Sequence, residues 1–273
     1  VSASQSFPIG ISQLSGTLNN GLVGYWPFNG NANDESGNGN NGTVNGAILT
    51  TDRFGNSNSA YSFDGDDWIE LNHSSDIDFS ISESYSISVW VKVYPNHTNG
   101  SIYCKWENSY DPYPYKVSCT NGAISVARYI GGTPQDSTRV HFYNSYNNSL
   151  ILDPNTYHNI TCIFTPDTIF SYIDGMLVDA KESYLSTGNI SNTHNLFIGR
   201  RGLSNDRYFN GEIDDFGIWD RVLSSQEIQN LYENSSYNWS PGGETTSSIT
   251  ISPASTTKYT VDVTSGSTTC QDS

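Results

Sequence analysis

Residues 31–42 gather Asp34, Glu35, Ser36, Asn38, Asn40 and Asn41 around Gly37 and Gly39. Hard oxygen donors on a chain that turns sharply are what a calcium ion needs, with about 6 to 8 oxygen ligands. An ordinary loop with Asn and Gly in left-handed turns has the same composition, so both readings stand. Asp64, Asp66 and Asp67, just before Trp68, read as a solvated hairpin. A different chemistry is offered by Trp106, Tyr110 and Tyr113, which sit among Pro112, Pro114 and polar residues. Aromatic faces stack on pyranose rings, and neighbouring polar groups meet the hydroxyls. Arg128 with Tyr129, then Arg139, His141, Tyr143 and Tyr146, extend that surface, and Arg200, Arg201 and Asn205 could line its rim. In a chain with 18 Tyr, each of these rings could equally be packing.

The elements that must hold these residues are strands. Tyr85, Ile87, Val89, Val91 and Val93 alternate with Ser86, Ser88, Trp90 and Lys92. This spacing predicts a strand with the first set in a core and the second facing solvent or a groove. Asp64-Gly65, Asn99-Gly100, Asn121-Gly122, Gly131-Gly132 and Asp174-Gly175 punctuate short apolar runs as turns. Ser224 and Glu227 form a capping box that opens a helix over 225–232. Ile213, Phe216 and Ile218 are spaced so that strict alternation fails, which predicts a bulge at Asp214-Asp215.

Composition narrows the function classes. Aromatics make up 13% of the chain and charged residues only 15%, a profile of Tyr- and Asn-rich extracellular β-proteins. Acidic residues outnumber basic ones by 28 to 12, for a formal charge of −16, so a phosphate backbone would be repelled and nucleic acid is excluded as a partner. No apolar run is long enough for a membrane helix, so membrane insertion is not expected. Starting at Val1 suits a processed piece of a larger exported protein. Cys104, Cys119, Cys162 and Cys270 lack zinc-type spacing. Cys104 and Cys119 flank what reads as an exposed loop that a disulfide could close, Cys162 sits in an apolar run as a buried thiol would, and Cys270 reads as having lost a partner.

The stretch Gly211-Glu212-Ile213-Asp214-Asp215-Phe216-Gly217-Ile218-Trp219, continuing to Ser224 and Glu227, resembles the closing segment of laminin G-like, concanavalin A-like jelly-roll domains. Gly21-Leu22-Val23-Gly24-Tyr25-Trp26-Pro27-Phe28 with the loop to Thr43 resembles their opening strand. Tyr61-Ser62-Phe63-Asp64-Gly65, Tyr85 to Val91, Tyr157-His158-Asn159-Ile160-Thr161 and Phe170-Ser171-Tyr172-Ile173-Asp174-Gly175 follow in the family's order. The resemblance implies an all-β, two-sheet antiparallel jelly-roll sandwich over residues 21–233, preceded by an arm at 1–20. It also implies a structural Ca2+ site from Asp34, carbonyls around Ser36 and Asn38, Asn41, and either Asp214 or Asp215. An ion there would relieve the repulsion of two buried aspartates and tie the first strand to the last.

Residues 234–273 are similar to the Ser/Thr-rich immunoglobulin-like or adhesion-type modules repeated in surface proteins of Bacteroidota, and are too short to bury a core alone. Glucanases share the jelly-roll fold and carry two catalytic carboxyls about 5 Å apart on one strand. Here Glu212 and Asp214 are followed by Phe216 or Gly217 where the acid/base belongs, so no catalytic residues are assigned. The expectation is a non-catalytic, lectin-like module of a secreted or cell-surface protein, an adhesin or a polysaccharide-degrading one. It would bind a glycan or glycoprotein through Trp106, Tyr110, Tyr113, Arg128 and Arg200. A ligand-free structural spacer is the alternative, and a glycanase or lyase ranks third.

Overall fold

The computed structural model describes residues 18–106, 111–129, 139–141, 151–182, 189–202, 207–233, 236–242, 257–265 and 268–272. In chain order its strands are β1 (Leu22–Trp26), β2 (Gly42–Asn45), β3 (Ile48–Thr50), β4 (Ala60–Asp64), β5 (Trp68–Leu71), β6 (Tyr85–Val93), β7 (Asn99–Cys104), β8 (Tyr113–Thr120) and β9 (Ala123–Tyr129). They continue with β10 (Arg139–His141), β11 (Tyr157–Phe164), β12 (Thr168–Ile173), β13 (Met176–Glu182), β14 (Leu196–Ile198) and β15 (Asn210–Trp219). Helix α1 (Ser225–Tyr232) precedes β16 (Ser236–Ser240), β17 (Thr260–Ser265) and β18 (Thr268–Asp272).

One sheet runs β13-β12-β11-β6-β15-β4-β3, with β1 also on β15, and a second runs β10-β9-β8-β7-β14-β5-β2. Their pairings are antiparallel, and consecutive strands such as β5 and β6, or β14 and β15, cross from one sheet to the other, which makes a jelly-roll sandwich. The C-terminal strands form a sheet of their own in the order β16-β17-β18. No described helix is long and apolar enough to cross a membrane.

The alternation in β6 places Tyr85, Ile87, Val89, Val91 and Val93 in the core between the sheets, where Tyr85 stacks between Phe79 and Phe164. The opposite face of β6 is not open as expected. Ser86, Ser88 and Trp90 are buried too. Ser86 Oγ donates to the Arg221 carbonyl at 2.7 Å and accepts the Leu223 N–H at 3.1 Å, while Ser88 Oγ accepts from Thr161 and Asn159. The segment leading into α1 folds over this face, and Trp90 stacks on Tyr232. Alternation reports which residues face the sheet-sheet core; it is silent about what a later helix covers.

Helix α1 begins where the capping box put it. Ser224 Oγ accepts the Glu227 N–H, and the Glu227 carboxylate accepts the Ser224 N–H at 2.8 Å. Arg221 adds two N–H bonds at 2.8 and 2.9 Å. Arg221 and the cap pull the Glu227 pKa down to about 2. A depressed carboxylate stabilises the fold above its unfolded pKa, and that contribution disappears as pH falls through the folded value. Glu227→Gln is therefore expected to cost about 1 kcal/mol at pH 7. The gap between variant and wild type should close between pH 4.5 and about 2 in urea melts; a gap independent of pH would contradict the assignment.

Two sequence expectations fail in β8. Residues 113–120 are strand rather than loop, with Cys119 opposite Gly100 and Cys104 opposite Lys116. The two thiols are thus separated by about three residues of register, roughly 10 Å and beyond disulfide reach. Both are buried free thiols, like Cys162, and burial pushes them to about 11 and 12. Of the N-terminal arm, residues 1–17 lie outside the described set. Leu18 is buried against the sandwich and its carbonyl accepts the Trp219 indole N–H at 2.7 Å.

Candidate functional site

The acidic pair of β15 sits at the expected bulge. Asp214 pairs with Trp90 and Gly217 with Ser88, so three residues advance on β15 against two on β6. Asp215 absorbs the extra residue with φ +43°, a left-handed conformation that Asp tolerates. Successive strand residues ordinarily point to opposite faces; the bulge lets both carboxylates reach one guanidinium. Arg53 Nη1 donates to Asp214 at 2.5 Å and Nη2 to Asp215 at 2.7 Å. Its side chain is 6% exposed and packs over Trp90 and Phe54. The two carboxylates outweigh burial and hold the Arg53 pKa above its usual value.

These residues do not fit a calcium ion. Asp34 Oδ1 accepts the N–H groups of Tyr25 and Ser36 at 3.0 and 2.9 Å, and Oδ2 accepts that of Asn40 at 2.9 Å. Asn41 Oδ1 accepts the Asp34 N–H, and the Asn38 side chain turns its NH2 toward the carbonyls of Val23 and Leu22. Asp215 Oδ1 takes the Tyr25 hydroxyl at 2.6 Å. The side-chain oxygens expected as ligands on Asp34, Asn41, Asp214 and Asp215 are engaged by donors, and a dication beside Asp214 and Asp215 would face the Arg53 charge. Tyr25 joins β1 to β15, and Arg53 neutralises the aspartates, so two tasks assigned to the ion are done by side chains.

Two further acidic groups lie near these strands. Asp64, Asp66 and Asp67 bring carboxylate oxygens within 4.8 Å of one another, but Asp67 Oδ2 accepts the Asp64 N–H as a hairpin closure. Glu212, on the same strand as the pair, accepts from Lys92, Tyr94 and Tyr157 at 2.7 to 2.8 Å. Burial opposes its ionisation, but those three donors win and lower its pKa.

The aromatic residues meet on the outer face of the second sheet. Glu70, Phe197, Cys104, Lys116 and Ala127 lie opposite one another across β5, β14, β7, β8 and β9 and so form one transverse row. At one end of β7 stands Trp106, half-buried, 5.3 Å from Tyr113, which in turn is 5.7 Å from Tyr129. Lys116 Nζ and the Arg201 guanidinium lie 5.3 and 4.9 Å from the Trp106 ring centre. At the other end Trp68 and Tyr208, also half-buried, approach to 6.3 Å.

The segment 199–202 lies between the two ends. Gly199 starts it at φ +88°, where a Cβ would come within 2.5 Å of the Phe63 ring, so glycine is required. Its N–H donates to Ile102 and its carbonyl accepts from Phe209, and Gly202 N–H donates to the Trp106 carbonyl. Thus pinned, the loop sends Arg200 over Trp68 and Phe197, at 4.1 and 4.5 Å, and Arg201 over Trp106.

Of the residues expected to bind ligand, Trp106 and Arg200 belong to this face. Tyr113 belongs to it as a support, since it is 3% exposed and covered by Trp106 and Tyr129. Arg128 does not belong. It is fully buried, beside Tyr85, and donates to the Pro166 carbonyl at 3.0 Å, because alternation on β9 turns it away from the Tyr129 side. Tyr110, Tyr143, Tyr146 and Asn205 lie outside the described residues, as do the side chains of Arg139 and His141. Trp68 and Tyr208 were missed. Trp68 alternates with Ile69 and Leu71 as an outward residue, a signal that was available in the sequence.

A model of the concanavalin A-like lectin/glucanases superfamily matches residues 63–229. No curated protein matches the chain by sequence. Among solved structures, the binding domain of Paraclostridial Mosquitocidal Protein 1 superposes with a TM-score of 0.64 at 20% identity, over 79% of this chain and 52% of that one. The binding domain of botulinum neurotoxin serotype D gives 0.58 at 20% identity, over 79% and 51%. This chain therefore spans about half the length of the toxin domains it matches. Domain 4 of AbnA, an extracellular arabinanase from Geobacillus stearothermophilus solved with arabinotriose, gives 0.60 at 16% identity, over 77% of this chain and 98% of that domain.

Proposed function

The chain belongs to the concanavalin A-like lectin/glucanase superfamily, and from that membership we propose that it is a non-catalytic recognition module that binds a glycan on the outer face of the second sheet, within an exported protein. The observation that carries this reading is a pair of half-buried tryptophans, Trp68 and Trp106, each stacked by an arginine of the segment 199–202. Rings of this kind give sugar contact area at low entropic cost, and the loop holds them without ligand. Two similar folds point the same way, one the binding domain of a mosquitocidal toxin and the other an arabinanase domain solved with arabinotriose.

Catalysis is disfavoured by chemistry. A glycosidase needs one carboxyl held protonated and a second free to attack or activate water. Glu212 is saturated by three donors, and Asp214 and its neighbour are clamped by Arg53. The spacer reading draws on the packing roles of Tyr113 and Arg128.

A glycan panel probed with wild type and Trp106→Ala separates these readings. Binding that falls at least about tenfold in the variant is expected, as stacking contacts carry on the order of 1–2 kcal/mol. Silence across the panel would favour the spacer, and new reducing ends would mark an enzyme.

A further inference from the structure

We infer that the glycan recognised on this face carries a carboxylate, as in a uronic acid, and that Arg200 is the residue that reads it; this rests on the recognition role proposed above. Arg200 differs from the other cations of the fold. The chain has 12 basic residues against 28 acidic ones, and those that are half-buried or deeper are mostly committed. Arg53 holds Asp214 and Asp215, Lys92 holds Glu212, Lys105 reaches Asp78, Arg221 holds Glu227, Arg128 donates to Pro166 and Arg207 to Asn99. Among the described residues, Arg200 is the half-buried cation with no acceptor on any N–H group; its Nε is buried without a partner, as are Nε of Arg53 and of Arg128, but those two spend Nη groups on Asp214, Asp215 and Pro166.

Its position is nevertheless fixed. Two rings hold the guanidinium at 4.1 and 4.5 Å, on a loop whose ends are pinned by backbone hydrogen bonds. The carboxylate nearest in register is Glu70, opposite Phe197 on β5. Its oxygens already accept from the Trp68 indole at 3.4 Å and the Asn195 amide at 2.7 Å, and it makes no ion pair with Arg200. Stacking shields the guanidinium plane from water, and with Nε buried the two Nη groups are left as its polar edge. That edge matches a planar carboxylate in two parallel bonds better than it matches a single hydroxyl.

The overall charge of −16 sets a limit on the ligand. Beyond a Debye length of about 8–10 Å the acidic surface is screened, but a densely sulfated chain running across the face would meet it at closer range. A sugar chain with one carboxylate per ring, placed at Arg200, keeps the local attraction and limits that repulsion.

The test uses oligogalacturonides, oligoglucuronides and oligomannuronides, their carboxyl-reduced neutral counterparts, sulfated neutral oligosaccharides, and unmodified arabino- and xylo-oligosaccharides. Calorimetric titrations are run on wild type, Arg200→Lys and Arg200→Gln, with a thermal melt to confirm folding of each. At least one uronide should bind about tenfold or more tighter than its reduced counterpart, the discrimination typical of charge-assisted bonds. Arg200→Gln should erase that preference while sparing binding of the reduced form, and Arg200→Lys should keep the charge preference at lower affinity. Equal or tighter binding of the neutral sugars, a preference that survives Arg200→Gln, or tighter binding of the sulfated series would overturn the carboxylate assignment. In those cases a loss in Trp106→Ala would leave glycan recognition standing. Failure of every sugar to bind wild type would overturn both.

Discussion

Arg53→Met is expected to lower the stability of the sandwich by about 3–5 kcal/mol, because it leaves two carboxylates in the interior without their counter-charge. At about 2–4 °C per kcal/mol for a domain of this size, the melting temperature should fall by roughly 6–20 °C. Asp214 and Asp215 are 3% and 12% exposed at their side chains, so water cannot replace the guanidinium in place. Adding Asp214→Asn and Asp215→Asn to the Arg53 variant should restore part of the loss, since the repulsion then disappears along with its remedy. The same melts carry a calcium test. Chelator and added calcium should leave the wild-type midpoint unchanged, because an ion bound only by the native state would raise it by mass action. A midpoint that falls with chelator and returns with calcium would show that an ion, and not Arg53 alone, holds β15.

A second large effect is expected at Lys105, which is fully buried next to Trp106. Its Nζ donates to the Asn192 and His194 carbonyls at 3.0 and 2.8 Å and to the Asn192 side-chain oxygen at 3.0 Å, and lies 3.4 Å from Asp78. The Asn192 amide in turn donates to the carbonyls of Lys105 and Pro112. Lys105 and Asn192 together thereby fasten the segment leading into β14 to the backbone beside Trp106 and Tyr113. Lys105→Met keeps the length but removes the donors, leaving the Asn192 and His194 carbonyls unpaired and Asp78 without a counter-charge, though still bonded by Ser191 and Asn192, at a cost of about 3 kcal/mol. Glycan affinity measured well below the variant's melting temperature should fall as well, since the Trp106 backbone loses its anchor. Unchanged stability would mean that the carbonyls find other donors and that the Ser191 and Asn192 bonds suffice for Asp78.

Much of the fold was legible because two local signals agreed. In β6 a strict period of two put five residues in the core, and at α1 the Ser224 and Glu227 spacing set the helix start. The bulge in β15 was legible too, from the failure of alternation around Asp214 and Asp215. The partner of those aspartates was not. Arg53 lies about 160 residues away in the chain, in a turn with no pattern of its own, and only tertiary structure brings it to the bulge. The loop at 31–42 misled for a related reason: Asp and Asn oxygens suited to an ion are equally suited to backbone N–H groups, and composition cannot say which is nearer. Prolines at 112 and 114 argued for a loop around Tyr113, where the structure has the start of a strand with a register shift between Tyr113 and Lys116.

The binding face was legible in part, through Trp106 and Arg200, and its remaining members depend on which strands lie side by side. Trp68 and Trp106 are 38 residues apart and belong to one surface only because β14 inserts between β5 and β7.

The most direct test of the account is calorimetric titration of the best ligand from the glycan panel into wild type and into Trp68→Ala. Trp68 is half-buried and lies outside the sheet-sheet core, so its removal should leave the melting temperature within a few degrees, while the loss of its ring and of the support under Arg200 should weaken binding at least about tenfold. Equal affinity for the two proteins, with both folded, would place the ligand elsewhere and contradict the assignment of this face.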